Sequence, residues 1–375
     1  MDVILSLGLV MSLGRMGSLN AVEQVEVVGY ARWWIGGNKL PSADTMGRGF
    51  SQKGNRFFRR TIKRIYERLK RNKALRPAHG GPFAIIVDGH EQHCSRLRCC
   101  SGCLERTIHT KNGDVKEYYH RNVTGVLLCD GYYLPLDMEP QRPGEDEVAC
   151  AMRLLTRLFE EYPRAFKLIL ADGLYARAPF FKLARKHGKH VIAVLKDDRR
   201  DLIKDARGLF SKQRPKVYAY GPLTRECWDI EHFTSWDTLG SEARVVRSLE
   251  RREVRRQITG KIDFEVSEWV WASTIPQDEL STETFVKFGH DRWKIENNGF
   301  NELVNEWHAD HLYKHDPVAM EVFWLLAMLA YILFHAFIGR NLKSVFRCRH
   351  TKRHLAEMIK AEIYQCAGLG TAPPF

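Results

Sequence analysis

Three acidic residues stand where a folded chain can bring them together. Asp88 ends the apolar run FAIIVD, and Asp172 ends the apolar run FKLILAD. Glu296 lies in the helix-like stretch RWKIENNGF, between Trp293 and Phe300, which share its helical face. A carboxylate on an apolar helical stripe is costly unless a positive partner meets it. The pattern therefore raises the question of which cation these acids share.

Divalent metal ions are the partners that such a group of acids fits. Three close carboxylates raise one another's pKa and cannot all stay ionised alone. Mg²⁺ takes oxygen ligands and keeps several waters, which leaves room for phosphate oxygens. Two such ions, about 3.5–4 Å apart, activate a water or a 3′-hydroxyl and stabilise the leaving oxygen of a phosphoryl displacement. We therefore predict that Asp88, Asp172 and Glu296 bind two Mg²⁺ or Mn²⁺ ions and are catalytic.

Each acid also has a simpler explanation. Asp-Gly pairs commonly mark turns at strand ends, which would account for Asp88 and Asp172. Glu296 would need only Arg292, four residues earlier on its helix, as an ion-pair partner. The joint order of the three acids, on two strands and a helix, favours the catalytic interpretation.

The elements around the acids predict an α/β fold. FAIIVD (83–88) indicates a buried strand, and Asp130-Gly131 indicates a hairpin joining two more. A helix over 143–162 follows, with Glu145, Asp146 and Glu147 as favourable charges at its start. Then come a strand (166–172), a short helix closed by Gly188, and a strand (190–195). This order of strand, strand, strand, helix, strand, helix, strand resembles the RNase H-like fold, a mixed sheet flanked by helices.

Changes in composition divide the chain into five segments. We predict a basic helical N-terminal region (1–80), the first part of a catalytic core (81–196), a β-rich insertion (197–280), a second part of the core with the Glu296 helix (281–345) and a basic C-terminal tail (346–375).

The charge of the chain favours a polyanionic partner, with nucleic acid first and an anionic membrane second. The net charge is +13 in an otherwise ordinary globular composition. Between positions 53 and 76, eleven basic residues accompany one acid, Glu67. Phe58, Ile62, Ile65 and Leu69 form one apolar stripe of a helix there. DNA-backbone contacts are predicted for the following side chains: Lys63, Arg64, Lys70, Arg71 and Lys73. A solvated helix face is the alternative.

The stretch HEQHCSRLRCCSGC (90–103) has spacings that suit zinc. The candidate ligands are His90, His93, Cys100 and Cys103, in a site separate from the three acids. A run of ordinary thiols is the alternative. Nine cysteines without a secretory signal argue against a disulfide framework and indicate a reducing cytoplasm.

The apolar run at 322–339 is just long enough to cross a membrane. It is a single such segment, contains His335 and directly follows Glu321. We therefore predict a helix buried on all sides and no membrane partner.

Six motifs spread over residues 40–340 give the chain a family resemblance: PSADT, IIVDGH, YYH, PGEDE, ADGLYARAPFF and RWKIENNGFNEL. Together they resemble DDE transposases of bacterial insertion sequences, in the cut-and-paste group with a β insertion between the second aspartate and the glutamate. The resemblance implies Asp88, Asp172 and Glu296 as the metal-binding triad and Arg292 as a DNA contact near the cut. It also implies cleavage at transposon ends, strand transfer into target DNA, a homodimer on double-stranded DNA and a nucleoid-associated cytoplasmic location in a bacterium.

The chain departs from the Tyr-Arg-Glu-Lys signature of better-known members of this group. Gly289 and Leu303 occupy the tyrosine and lysine positions, so only Arg292 and Glu296 match. Three other basic side chains are candidate DNA contacts in their place: Lys287, His290 and Lys294. A DNA-hairpin intermediate would need an aromatic partner for a flipped base. Trp236, Trp269 and Trp271 are the candidates, with structural burial as the alternative.

Two alternative functions follow from the same residues. One is a non-catalytic DNA-binding protein derived from a transposase. The other is an RNase H-like nuclease that cuts DNA without strand transfer.

Overall fold

The fold is taken from a computed structural model. The structure describes residues 3–23, 40–196, 200–257 and 260–369. Within these ranges the side chains of Lys53, Tyr132, 296–298 and 363–369 lie outside the description.

Ten strands in the described ranges form one mixed sheet. They are β1 (Ala84–Ser95), β2 (Leu104–Thr110), β3 (Gly113–Cys129), β4 (Tyr132–Pro140), β5 (Leu168–Ala171), β6 (His190–Val194), β7 (Lys216–Tyr220), β8 (Leu223–Phe233), β9 (Ala243–Arg255) and β10 (Ile262–Ser273).

Helices of these ranges lie between the strands, and further helices precede β1 and follow β10. They are α1 (Val3–Leu13), α2 (Leu19–Glu23), α3 (Ala43–Lys53), α4 (Arg56–Arg71), α5 (Glu147–Glu161), α6 (Ala178–Lys186), α7 (Asp201–Phe210), α8 (Thr282–Asp291), α9 (Asn301–Trp307), α10 (Pro317–Arg340), α11 (Ser344–Arg349) and α12 (Lys352–Leu369).

The centre of the sheet has the strand order β4–β3–β1–β5–β6. β1 and β3 are antiparallel, as are β3 and β4, whereas β1, β5 and β6 run parallel. The turn Asp130-Gly131 joins β3 and β4 as predicted, and Gly131 takes a positive φ of 91° that glycine tolerates. The sheet, flanked by helices, confirms the predicted RNase H-like fold class.

One strand before the first core helix was missing from the predicted order. β2 directly follows the cysteine- and histidine-rich stretch (90–103) and pairs with the first seven residues of β3. Most side chains of β2 are exposed. The strand therefore lacks the apolar alternation by which strands are recognised in a sequence.

The segment 197–280 adds α7 and four antiparallel strands, β7 to β10. β10 pairs with β6, so this segment continues the central sheet. Helix α7 was not predicted there, although its buried Leu202, Ile203, Ala206 and Phe210 form an apolar stripe at helical spacing.

Helices α1, α3 and α4 pack on α10, the long apolar helix. Ser42 and Asp316 cap α3 and α10 by accepting backbone N–H bonds. By length and composition, α10 is the one helix of the described ranges that could cross a membrane. However, 78% of its apolar window is buried inside the protein. The apolar side chains of α10 are therefore mostly packed against other parts of the protein.

This burial predicts unequal effects of a charge at two positions of α10. Leu325 is fully buried, whereas Phe337 is 43% exposed. Leu325→Asp should lower the free energy of unfolding by about 4 kcal/mol or more, since it removes apolar burial and buries an unpaired carboxylate. The matched Phe337→Asp should cost less than about 1 kcal/mol. Denaturant unfolding measures both, and equal losses would contradict the buried position of this helix.

Candidate active site

Asp88 and Asp172 lie at adjacent strand ends. Ile86 of β1 pairs with Leu170 of the parallel strand β5. Each aspartate follows its paired residue by two positions, so the register brings them side by side. Asp88 accepts a hydrogen bond from the Gly89 N–H at 3.0 Å. Asp172 accepts one from the Gly173 N–H and caps a single turn of 3₁₀ helix. The two predicted acids are therefore neighbours in the fold.

A buried arginine bridges the two carboxylates. Nη1 of Arg292 is 3.4 Å from Oδ2 of Asp88, and its Nη2 is 3.8 Å from Oδ2 of Asp172. The residue is 3% exposed, and its guanidinium lies 4.9 Å from the ring centroid of Trp293. A buried guanidinium is stabilised by such carboxylates, and it compensates their negative charge. Arg292 thus joins the strand ends to the end of α8.

The environment of Asp172 favours its ionised form. Burial raises the pKa of Asp172, but the Gly173 N–H, the Arg292 guanidinium and Lys196 outweigh that effect. The net result is a pKa below the ordinary aspartate value. The Lys196 ammonium lies 3.2 Å from Oδ1 of Asp172. Sequence reasoning missed Lys196, because nothing in its local pattern marks it as a site residue.

Glu296 lies in a π-helical turn, Ile295–Phe300, between α8 and α9. This turn packs against β1, the strand of Asp88, and the Phe300 ring is 5.1 Å from the ring of His90. Single π turns inside helices are frequent at functional sites. The side chain of Glu296 lies outside the described part of the structure, so its contact with the aspartates stays a prediction.

A further acid, Glu147, lies beside the site. A Cβ atom at Gly89 would fall 2.5 Å from the Glu147 carboxyl carbon, so an added side chain would have to displace this carboxylate. Glu147 accepts a hydrogen bond from the Tyr175 hydroxyl at 2.6 Å and pairs with Arg121 at 2.8 Å. Asp146 caps α5, as expected for a helix-start acid. The Glu147 carboxylate therefore lies next to Gly89, the neighbour of Asp88, which its predicted role as a helix-start charge did not indicate.

The predicted DNA contacts around the Glu296 helix have acidic partners within the protein. Lys287 pairs with Glu283 at 2.7 Å, and His290 pairs with Glu250 at 2.6 Å. Lys294 pairs with Asp291. Their roles on DNA stay predictions, and each would have to exchange or share an internal partner.

The glycine at the signature's tyrosine position has a packing reason. A Cβ atom at Gly289 would lie 2.6 Å from the buried indole of Trp271. Trp271 stacks with Trp269 at a centroid distance of 6.1 Å. Trp271 is fully buried, whereas Trp269 and Trp236 are partly buried. Trp271 therefore occupies the space that a larger residue at position 289 would need. Leu303, at the lysine position, is also buried.

The fold brings four potential metal ligands together, two of them from the stretch 90–103: Cys100, Cys103, His120 and His315. Cys100 and Cys103 belonged to the predicted set, but His90 and His93 lie outside this group. The ring of His90 is 5.1 Å from that of Phe300 and 5.4 Å from that of Trp324, and the ring of His93 is 5.5 Å from that of His315. His120 and His315 come from distant parts of the chain, which spacing within 90–103 could not indicate.

Burial controls the protonation of the two histidines in this group. It lowers the pKa of His120 to about 4, with help from neighbouring His315 and His93. It also lowers the pKa of His315. Both rings therefore favour the neutral imidazole, the form that binds metals.

A family match agrees with this fold and site. The family model for the transposase DDE domain matches residues 85–333, most of the chain. This protein therefore belongs to the DDE transposase family of insertion-sequence type, a family of DNA-acting enzymes. The match confirms the family resemblance seen in the motifs. No curated protein matches the chain.

The Arg292 bridge predicts a pH-dependent loss of stability. Arg292→Gln should lower the free energy of unfolding at neutral pH by about 3–5 kcal/mol, since two partly buried carboxylates lose their cation. The depressed pKa of Asp172 makes its contribution complete above the unfolded-state pKa. The deficit should therefore shrink as the pH falls below the ordinary aspartate pKa of about 3.9.

Lys196→Gln is the matched control, because the Lys196 side chain is 61% exposed. Its effect should stay below about 1 kcal/mol. Urea unfolding at several pH values measures both variants. A deficit of Arg292→Gln that does not change with pH would contradict the ion-pair explanation.

Proposed function

We propose that this protein is a transposase that cleaves DNA at transposon ends and transfers the strands to target DNA, using divalent metal ions. The observation that carries the proposal is the pairing of Asp88 and Asp172 at adjacent strand ends around buried Arg292. A turn residue needs no such partner. The two simple turn explanations do not account for a guanidinium buried between both carboxylates.

The donor set fits a hard cation. The facing groups of Asp88 and Asp172 are carboxylates, and Mg²⁺ and Mn²⁺ prefer oxygen ligands. With Glu296, these residues would hold two such ions. When bound, the ions supply activation of the attacking hydroxyl and stabilisation of the leaving oxygen.

The protein's own groups orient the carboxylates. Backbone N–H groups of Gly89 and Gly173 each bind the Oδ1 atom of the preceding aspartate. Arg292 faces the Oδ2 atom of both aspartates. These contacts restrict rotation of the two acids before DNA binds, and preorganisation of this kind lowers the cost of reaching the reactive geometry.

Helix α4 offers a surface for the DNA backbone. Its side of Phe58, Ile62, Tyr66 and Leu69 is buried. Among the predicted contacts, Arg64, Lys70, Arg71 and Lys73 are exposed, whereas Lys63 is half-buried and pairs with Glu161 at 2.7 Å. Within the described part of the chain these exposed cations have no ion-pair partner, so they can neutralise phosphates directly. Two transposon ends must be held at once, so a homodimer on DNA is the proposed working form.

The central test is a cleavage assay on the element's own terminal repeats with Mg²⁺. Asp88→Asn, Asp172→Asn and Glu296→Gln should each lower nicking by at least about a hundredfold while DNA binding persists, since each would remove a metal ligand. Asp130→Asn is the matched control, because Asp130 also precedes a glycine at a strand end but is exposed in a hairpin turn. Its activity should equal that of the parent.

The two alternative functions have distinct outcomes in this assay. A parent protein that binds the correct ends but never cuts them would be a DNA-binding protein only. Cutting without joining of pre-cut ends to target DNA would leave a nuclease.

The α4 surface predicts a change in salt dependence. Arg64→Gln, Arg71→Gln or Lys73→Gln should weaken DNA binding for all sequences and reduce the slope of log K against log salt by about 1 each. Lys63→Gln should change the slope less, because its ammonium already has an acidic partner. Binding titrations at several salt concentrations measure the slopes. Unchanged slopes in the three exposed variants would exclude this face from the interface.

A further inference from the structure

Two cysteines and two histidines converge beside the core sheet. The Sγ atoms of Cys100 and Cys103 are 3.7 Å apart. The Nε2 atom of His120 lies 3.3 Å from the Cys100 sulfur and 3.2 Å from the Cys103 sulfur. The Nε2 atom of His315 lies 3.3 Å from the Cys103 sulfur. All four ligand atoms lie within 4.8 Å of one another.

These separations resemble the edges of a zinc tetrahedron. Zn–S bonds of about 2.3 Å and Zn–N bonds of about 2.0–2.1 Å imply edges of roughly 3.8 Å between sulfurs and roughly 3.5 Å between sulfur and nitrogen. The distance between the cysteine sulfurs agrees with the first value, and the three sulfur–nitrogen distances are slightly below the second. Two thiols and two imidazoles are also a common donor set of structural zinc sites.

The turn that carries the cysteines has features of a metal-binding loop. The Cys103 N–H bonds to the Cys100 carbonyl at 3.1 Å, which closes a tight turn. The Cys100 N–H points at the Cys103 sulfur at 3.2 Å, and such a donor stabilises a thiolate. Gly102 lies so close to Pro317 that an added Cβ would be 3.0 Å from its ring. The loop is therefore packed against the start of α10 at the point where His315 approaches.

We propose that Cys100, Cys103, His120 and His315 bind one zinc ion in a closed structural site. With four protein ligands, no position is left for a substrate or a catalytic water. The site would tie the β1–β2 connection and β3 to the segment between α9 and α10. That segment follows the turn that contains Glu296, and β3 pairs with the strand of Asp88. The zinc would thereby fix two parts of the core that are far apart in sequence.

Metal analysis of the full-length protein, purified under reducing conditions, tests the site. The parent should contain one zinc per chain, and Cys103→Ser and His315→Gln should lose it. Two controls isolate the ligand set. Cys99→Ser removes the neighbouring exposed thiol, and His93→Gln removes the histidine whose ring is 5.5 Å from that of His315. Both should keep the zinc. Loss of zinc in either control would overturn this ligand assignment, and zinc retained in all four variants would show an adventitious ion only.

A spectroscopic test covers the case in which the loss variants fail to fold. Co²⁺ in place of zinc should give tetrahedral d–d bands and thiolate-to-cobalt charge transfer. His315→Cys should keep the metal and increase the charge-transfer absorbance, because a third thiolate replaces an imidazole. An unchanged spectrum in this variant, or no Co²⁺ binding by the parent, would overturn the proposal. Asp88→Asn should keep its zinc, so failure of the zinc site and failure of the proposed catalysis are separable.

Discussion

The arrangement of the core depends on one buried cation, the guanidinium of Arg292 between Asp88 and Asp172. Burial of an arginine is costly unless carboxylates surround it, and two carboxylates at adjacent strand ends repel each other unless a cation lies between them. The two carboxylates therefore stabilise the buried guanidinium, and the guanidinium reduces the repulsion between the carboxylates. The parallel register of β1 and β5 brings the acids together, and Arg292 reaches them from the C-terminal end of α8. The π turn that contains Glu296 begins three residues after Arg292. The ion cluster therefore also positions the backbone of Glu296, the third predicted acid.

The chain keeps the arginine and glutamate of its group's signature but not the tyrosine and lysine. The packing of Trp271 explains one of these changes, because its indole occupies the space beside Gly289. A tyrosine at that position would collide with it. Basic side chains on the same helices are held by internal acids, as in the pair of His290 with Glu250. Recognition of flanking DNA would therefore rely on groups that must first leave an internal partner, or on the exposed face of α4.

Local sequence patterns were enough to predict the core strands, the fold class and the neighbouring positions of Asp88 and Asp172. Apolar runs bounded by turn residues identify buried strands, and their order determines which strand ends meet. The patterns failed at a strand that lacks apolar alternation and at residues whose partners are distant in sequence. β2 has mostly exposed side chains and exists through its pairing with β3. His120 and His315 join the cysteines only through the tertiary fold. Nothing in the sequence predicted the π turn, because a π turn and an α-helix have similar side-chain patterns.

The central claim is that Asp88, Asp172 and Glu296 share divalent cations. A crystal structure of the protein with transposon-end DNA and Mn²⁺ tests it most directly, because anomalous scattering locates the ions without assumptions about activity. Manganese peaks are expected at direct coordination distance from oxygens of all three carboxylates, with phosphate oxygens completing the shell. Manganese held elsewhere, or a Glu296 carboxylate directed away from both aspartates in the DNA complex, would contradict it.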